Sequence, residues 1–252
     1  MIAETMRTVA VVQARMGSSR FPGKVMCDLA GRPLIDWVLS RIVRSARVDD
    51  TVLATTSTTL DDPLARYATG LGVAVYRGDE YDVLHRVTSA ASQAEADLVV
   101  RVCADNPFVD PVEIDRLVEF YRRCRVDYAC NHQDRLGSGY PDGFGAEILS
   151  MSLLEKIDMR ASNPRQREHV TLYLWQNPGR FRLTPVPAPP ELAGPGLRFD
   201  VDVPADLVRL EALLIRSSLD VTASATQVVE AARGKAIVEE PRGLGGDCTG
   251  GN

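Results

Sequence analysis

Apolar runs of strand length alternate with amphipathic stretches of helix length from residue 9 to about residue 131. Val9 to Val12 is continuously apolar, long enough for one buried strand. Leu34, Ile35, Val38, Leu39, Ile42 and Val43 recur at helical spacing behind Gly31-Arg32-Pro33, with Pro33 near the first turn. Thr51 to Thr55 predicts a second strand. Asp61-Asp62-Pro63 opens a short helix that Gly70 or Gly72 ends, and Val73 to Tyr76 predicts a third strand. A helix follows over Tyr81 to Glu95, then a strand over Leu98 to Cys103. Ala104-Asp105-Asn106-Pro107 cannot continue that strand. A helix is predicted from Pro111 to about Cys124 and a strand from Tyr128 to Asn131. Repeated strand-helix-strand units imply an α/β fold, a mostly parallel sheet with helices on both faces. Ligands of such sheets sit beyond the carboxyl ends of the strands. The segments after Val12 and Cys103 therefore face one crevice.

From His132 to Pro195 the pattern changes. His132 to Gly145, rich in Gly, Asp and Tyr, reads as a long loop, and Gly145 to Leu149 as a strand. Met151 to Asp158 and Gln166 to Gln176 read as helices, and Arg180 to Thr184 as a strand. Pro185 to Gly196, dense in proline and glycine, is a connector. Leu197 to Val203 reads as a returning strand, followed by helices over Pro204 to about Ile215 and Thr222 to Arg233. The expected organisation is one domain over 1–216 with an excursion at 132–195, a helical extension at 217–242 and a disordered tail at 243–252. The excursion covers the crevice, makes an oligomer contact, or does both.

Composition narrows the class. The chain has 252 residues, 45% apolar and 25% charged, with a formal net charge of −5. That balance argues against a basic nucleic-acid-binding surface. No apolar run approaches the ~18 residues of a membrane span. MIAETMRTV lacks the apolar segment of a signal peptide. Five cysteines without a C-x-x-C pair read as reduced thiols, and the expected location is cytoplasmic.

Against this acidic background Gln13 to Lys24 stands out. It holds Arg15, Arg20 and Lys24, Gly17 and Gly23, Ser18 and Ser19, and no acid. Glycine lets a backbone approach a ligand, while the cations, serines and backbone N–H groups donate to anions. The natural occupant is a polyanion such as a nucleoside triphosphate. The loop is not a P-loop: five residues separate Gly17 from Gly23, and Val25 follows Lys24. The alternative is an ordinary strand-to-helix connection with a solvated basic turn.

Two carboxylates follow predicted strands, Asp105 before Asn-Pro and Asp202 before Val-Pro. Each reads as a helix cap or turn residue when taken alone. Together with a triphosphate loop they suit Mg²⁺, which takes carboxylates, phosphate oxygens and water.

These residues carry a resemblance to the cytidylyltransferase superfamily that makes CMP-activated sugars, within it to the spore-coat polysaccharide biosynthesis protein F group. The matching segments are Gln13 to Lys24, Arg77 to Arg86, Arg101 to Pro107, Tyr140 to Glu147, Arg167 to Thr171 and Asp202 to Leu207. The resemblance implies a single three-layer α/β/α nucleotidyltransferase domain, Rossmann-like and similar to A-type glycosyltransferase folds. It implies that Arg15 and Lys24 bind the triphosphate with Gly17 and Ser18 in the same loop, and that Asp105 and Asp202 hold Mg²⁺. Gln13, Ala14 and Arg20 belong to the same nucleotide-binding stretch. The family usually has Cys or Gln near Asn106 and Thr at Val203, where this chain lacks the hydroxyl. The implied reaction transfers CMP from CTP to an acidic sugar or a related acidic metabolite, with pyrophosphate leaving. A homodimer is implied as well.

Around this centre, Asp142, Glu147 and His169 are candidate acceptor-binding residues. His169 orients an acceptor group or is a satisfied helix histidine. Arg77 and Arg86 are candidate nucleotide contacts, and Arg101 a possible anion contact. Each is alternatively a salt-bridging or surface arginine. Asp200-Val201-Asp202 is also a D-x-D, so a glycosyltransferase with a nucleotide-sugar donor is a competing reading. A non-catalytic nucleotide-binding protein is a third.

Overall fold

The computed structural model describes residues 6–132 and 135–238. Along the chain come β1 (Thr8–Gln13), β2 (Asp28–Leu29), β3 (Arg32–Pro33), α1 (Leu34–Ile42), β4 (Asp50–Thr56), α2 (Asp62–Gly70), β5 (Ala74–Gly78), α3 (Val83–Gln93) and β6 (Leu98–Cys103). They continue with α4 (Pro111–Arg123), β7 (Tyr128–Cys130), β8 (Glu147–Ser150), α5 (Met151–Arg160), α6 (Pro164–Glu168), α7 (Leu172–Trp175), β9 (Leu183–Pro185), α8 (Pro204–Ser217) and α9 (Ala225–Val238). Seven strands form one sheet in the order β5-β4-β1-β6-β8-β7-β9. Only β8 runs antiparallel to its neighbours, so the sheet is mostly parallel, as the strand-helix alternation predicts.

The continuous apolar run of β1 is explained by burial on both faces. Ala10 and Val12 pack with Ile35 and Leu39 of α1 and Leu117 of α4. Val9 and Val11 pack on the other side with Leu84 and Val87 of α3 and Leu154 of α5. A third cluster joins Trp37, Phe108, Phe144 and Phe199 to Leu210 and Leu213 of α8 and Val228 and Val229 of α9. The described part of the 217–242 extension thus shares a core with what precedes it. The tail at 243–252 lies outside the described residues. Helix starts follow capping chemistry: Asp82 accepts from His85 N–H at the head of α3, and Asp110 from Val112 N–H at the head of α4.

Three expectations need correction. The helix expected to open at Gly31-Arg32-Pro33 begins at Leu34, because residues 28–33 form a small hairpin. Ala30 and Gly31 both take positive φ (53° and 84°), as a two-residue turn of the primed type requires. The expected helix from Gln166 to Gln176 is broken at His169-Val170-Thr171. His169 is extended (φ −106°, ψ 93°), and the Thr171 hydroxyl bonds to the Glu147 carboxylate at 3.0 Å. Leu197 to Val203 is not a strand, since only Arg198 makes a bridge, to Asp142. The segment is held instead by Phe199 N–H on Asp142 O (2.8 Å) and Val201 N–H on Asp105 O (2.9 Å), with Phe199 and Val201 buried.

β1 and β6 are parallel neighbours in register, Gln13 beside Cys103. The Gln13–Lys24 loop and Asp105 therefore leave the sheet side by side. The reversed strand β8 starts at Glu147, beside Arg101 of β6 and Cys130 of β7. A residue at the beginning of β8 consequently lies at the same edge as the ends of its neighbours.

Candidate active site

The basic loop is fastened from below. Met16 N–H donates to Asp61 Oδ1 (2.7 Å), and Asp61 Oδ2 accepts from Thr55 Oγ1 and Thr56 N–H at 3.0 Å each. Gly23 N–H returns to Met16 O (2.8 Å), and Gly23 takes φ 73°, a conformation that favours glycine. That turn delivers Lys24 into the crevice. Its Nζ donates to Asp105 Oδ2 (3.0 Å) and to the Val201 carbonyl (2.7 Å), and lies 3.8 Å from Asp202 Oδ1. Arg20 Nη1 reaches Asp202 Oδ2 at 2.8 Å. Neither aspartate caps a helix: Asp110 caps α4, and Asp202 lies before Val203, which precedes α8. The Asp202 and Val203 N–H groups both donate to Asp206 Oδ2.

Two cavities meet at this point. The smaller, about 270 Å³, is lined by Gln13, Ala14, Arg15, Ser18, Arg20, Lys24 and Arg86 among others. The larger, about 690 Å³, is lined by Asp142, Glu147, Arg165, Asp200 and Asp202 among others. Cys103, Asp105 and His169 line both. Within its carboxylate-rich wall, Arg198 forks onto Asp200 (2.6 and 3.1 Å), and Arg101 pairs with Glu147.

The donor set suits a hard cation. Asp105 and Asp202 come from separate segments yet both lie within 4 Å of one ammonium nitrogen. Lys24 and Arg20 balance these two carboxylates in the structure; carboxylates of this kind, with phosphate oxygens and water, are the ligands Mg²⁺ takes.

The other predicted residues divide. Arg15 lines the smaller cavity, with Nη1 on Glu80 O (2.9 Å) and Nη2 3.4 Å from Glu168. A Cβ at Gly17 would stand 3.1 Å from Glu80 Oε1, so glycine lets the loop pass this side chain. Ser18 Oγ accepts from Phe21 N–H (3.3 Å) and shapes the loop. Arg86 is buried in the cavity wall; burial first, and then Arg15, push its pKa down. Arg77 lines neither cavity. Its guanidinium binds Thr56 O, Thr58 O and Asp62, away from both.

Glu147 faces the larger cavity, but its oxygens are engaged by Arg101, Tyr128 Oη (2.6 Å) and Thr171 Oγ1 (3.0 Å). Burial alone would raise its pKa; Arg101, then His132 and the Tyr128 hydroxyl, hold it down to about 2. Its carboxylate thus anchors Arg101, Tyr128 and Thr171 at the cavity wall. Asp142 is pushed up to about 6 by burial and then by Asp200. His169 is exposed at the junction of the cavities. Cys103, also at the junction, has its thiol pushed up to about 12 by burial. Sequence reasoning overlooked Arg198, Glu168 and Arg165. Arg198, Asp200 and Asp202 alternate, and that period of two is the signal that could have grouped them.

A mostly parallel sheet with a cationic loop after its first strand, facing paired carboxylates from distant segments, defines a nucleotidyltransferase. A family model described as cytidylyltransferase matches residues 9–233. The chain belongs to this cytidylyltransferase family. It is 30% identical over 224 residues to the spore coat polysaccharide biosynthesis protein SpsF of Bacillus subtilis, covering 87% of this chain and 91% of that one. It is 33% identical over 115 residues to a 3-deoxy-manno-octulosonate cytidylyltransferase of Trichlorobacter lovleyi, 45% and 44% of the two chains. A solved cytidylyltransferase structure from Leptospira borgpetersenii superposes with a TM-score of 0.85 at 26% identity, covering 95% of this chain and 99% of that one. Family membership removes the D-x-D glycosyltransferase and non-catalytic readings.

Proposed function

We propose that the protein transfers CMP from CTP to a small acidic acceptor, a sugar acid or a related carboxylate, phosphonate or phosphate, releasing pyrophosphate. One observation carries this reading: Lys24 sits between Asp105 and Asp202 where a cation-lined cavity meets a second, larger one. The smaller cavity takes the triphosphate against Arg15, Ser18 and Lys24. The larger takes the acceptor, with Arg165 and His169 as its positive and polar contacts. The names of the relatives, which include a sugar-acid cytidylyltransferase, support the acceptor class.

In the transfer, an acceptor oxygen attacks the α-phosphorus of CTP. The new O–P bond forms as the bond to the β-phosphate oxygen breaks, and the acceptor's proton passes to solvent or a nearby carboxylate. Catalysis is mainly positioning and neutralisation of charge. Arg15 and Lys24 neutralise the charge gathering on pyrophosphate. Asp105, shared by both cavities, fixes the relative placement of the two substrates. Asp105 and Asp202 would hold Mg²⁺, which supplies Lewis-acid polarisation of phosphate oxygens.

The protein is further proposed to act in the cytoplasm as a homodimer through the 132–195 excursion; light scattering that shows only monomer removes the dimer. Among the described residues no helix is long and apolar enough to cross a membrane. The reaction is tested by incubating the protein with CTP, Mg²⁺ and a panel of sugar acids, phosphonates and phosphate monoesters. Pyrophosphate release that needs both CTP and one acceptor supports the reading; sugar transfer, or binding without turnover, rejects it.

A further inference from the structure

We propose that Lys24 is an internal counter-ion of the metal site: its ammonium keeps a divalent cation off Asp105 and Asp202 until a triphosphate draws it away. This rests on the reading of those two aspartates as metal ligands.

The Lys24 ammonium donates to Asp105 Oδ2 at 3.0 Å and to the Val201 carbonyl at 2.7 Å, and stands 3.8 Å from Asp202 Oδ1. It fills the gap between the carboxylates and is held there by both segments that carry them. A divalent cation bridging the same oxygens would meet it at close range, like charge against like. The lysine side chain is only 12% exposed, and salt screens so shielded a repulsion poorly. The gap therefore takes one cation at a time.

The two aspartates are not balanced alike. Asp202 also has Arg20 Nη1 at 2.8 Å and Arg198 Nη2 at 3.8 Å from Oδ2. Among the described residues, Lys24 alone pairs with Asp105. Moving Lys24 hence leaves Asp105 without a counter-charge and ready for a metal. Arg20 is exposed, so its hold on Asp202 is weakened by water.

Lys24 has a second place to go. Its backbone is fixed, with Lys24 N–H on Phe21 O (3.2 Å) and Cys27 N–H on Lys24 O (3.1 Å). Its four-carbon stem is the flexible part. Lys24 also lines the smaller cavity, beside Arg15 and Ser18. A triphosphate there presents several anionic oxygens, which compete with the aspartates for the ammonium. The carboxylates, released from it, are then open to the metal, so nucleotide and metal load together.

The test is Mn²⁺ binding to the protein without nucleotide, read from the loss of the free-ion electron paramagnetic resonance signal, with melting curves to confirm folding. Lys24→Met keeps the stem and removes the charge, and should bind Mn²⁺ ~10-fold or more tightly than the wild type. Lys24→Arg keeps a cation and should stay near the wild type. Adding Asp105→Asn to Lys24→Met should cancel the gain, which places the ion at this aspartate. Mn²⁺ should also raise the melting temperature of Lys24→Met more than that of the wild type. A gain in affinity is not imitated by loss of structure, and Lys24→Gln takes the place of Lys24→Met should the latter not fold. An uncharged variant that binds Mn²⁺ no more tightly than the wild type overturns the proposal, as does Lys24→Arg with an equal gain. Mn²⁺ then found on Asp105 in the CTP complex leaves the metal reading in place; Mn²⁺ missing from Asp105 there removes that reading too.

Discussion

Lys24 Nζ lies 3.0 Å from Asp105 Oδ2 although 81 positions separate the two residues. The Lys24 side chain is only 12% exposed and that of Asp105 30%, so the pair is partly shielded from water. One cation reaches a carboxylate at the end of the neighbouring strand and stands beside a second from the far end of the domain. Lys24→Ala should therefore lower turnover by ~100-fold or more, the scale seen when a single charge-stabilising donor is removed. Steady-state pyrophosphate release measures this. A loss confined to the KM for CTP, with kcat intact, would show that Lys24 binds the ground state only.

Metal dependence should follow the two aspartates. Chelation should abolish turnover and Mg²⁺ restore it. Asp202→Asn should raise the Mg²⁺ concentration needed for half-maximal rate and lower the maximum, because an amide oxygen is a weaker ligand for a hard cation. Rate measured against Mg²⁺ concentration for wild type and variant decides this; overlapping curves would remove Asp202 from the metal site.

Asp142 should destabilise the fold near neutral pH. Its folded pKa of about 6 lies above the ordinary value of 3.8, so the folded state holds the proton more tightly than the unfolded chain. Its contribution favours folding at low pH and is lost as pH rises between those two values. Asp142→Asn should accordingly stabilise the protein by on the order of 1–2 kcal/mol at pH 7.5, allowing for screening at a cavity wall. The gain should shrink toward pH 4.5. Melting curves at both pH values measure it, and a gain independent of pH would contradict this origin.

Glu147 has the opposite sign. Its pKa of about 2 lies below the ordinary 4.5, so its stabilisation is present above 4.5 and fades as pH falls toward 2. Glu147→Gln leaves the Arg101 guanidinium, with its side chain 12% exposed, without its counter-charge, at a cost of ~3–5 kcal/mol. Denaturant titration checks this. Unchanged stability together with a raised acceptor KM would make Glu147 an acceptor ligand.

Gly143 links the excursion to the catalytic segment. It takes φ +105°, and an added Cβ would lie 2.7 Å from the Phe199 carbonyl carbon and 2.8 Å from Asp200 N. Gly143→Ala must push away the segment that carries Asp202, so activity should fall together with melting temperature. Activity and melting both at wild-type level would show that the contact is dispensable.

The sheet was legible in the sequence because its strands are buried on both faces and separated by helices with clear period and caps. β8 was recognisable as a strand, but its reversal depends on a partner that local pattern does not name. Leu197 to Val203 has the apolar alternation of a strand, yet its alternate residues are held by Asp105 and Asp142, not by a ladder. That Arg15, Lys24 and Asp105 reach one crevice was legible because they follow neighbouring strands; the approach of Asp202 depends on the backbone bond from Val201 to Asp105. The fates of Arg77 and Glu147 were not legible. Whether an arginine or a glutamate faces a ligand or a partner is decided by side chains distant in sequence, here Asp62 and Arg101.

The most direct test of the central claim is a crystal structure with CTP and Mn²⁺, the metal located by its anomalous scattering. The account predicts Mn²⁺ bound by Asp105 and Asp202, with the triphosphate against Arg15 and Lys24. Metal bound elsewhere, or a triphosphate lying in the larger cavity beside Asp142 and Arg165, would contradict it.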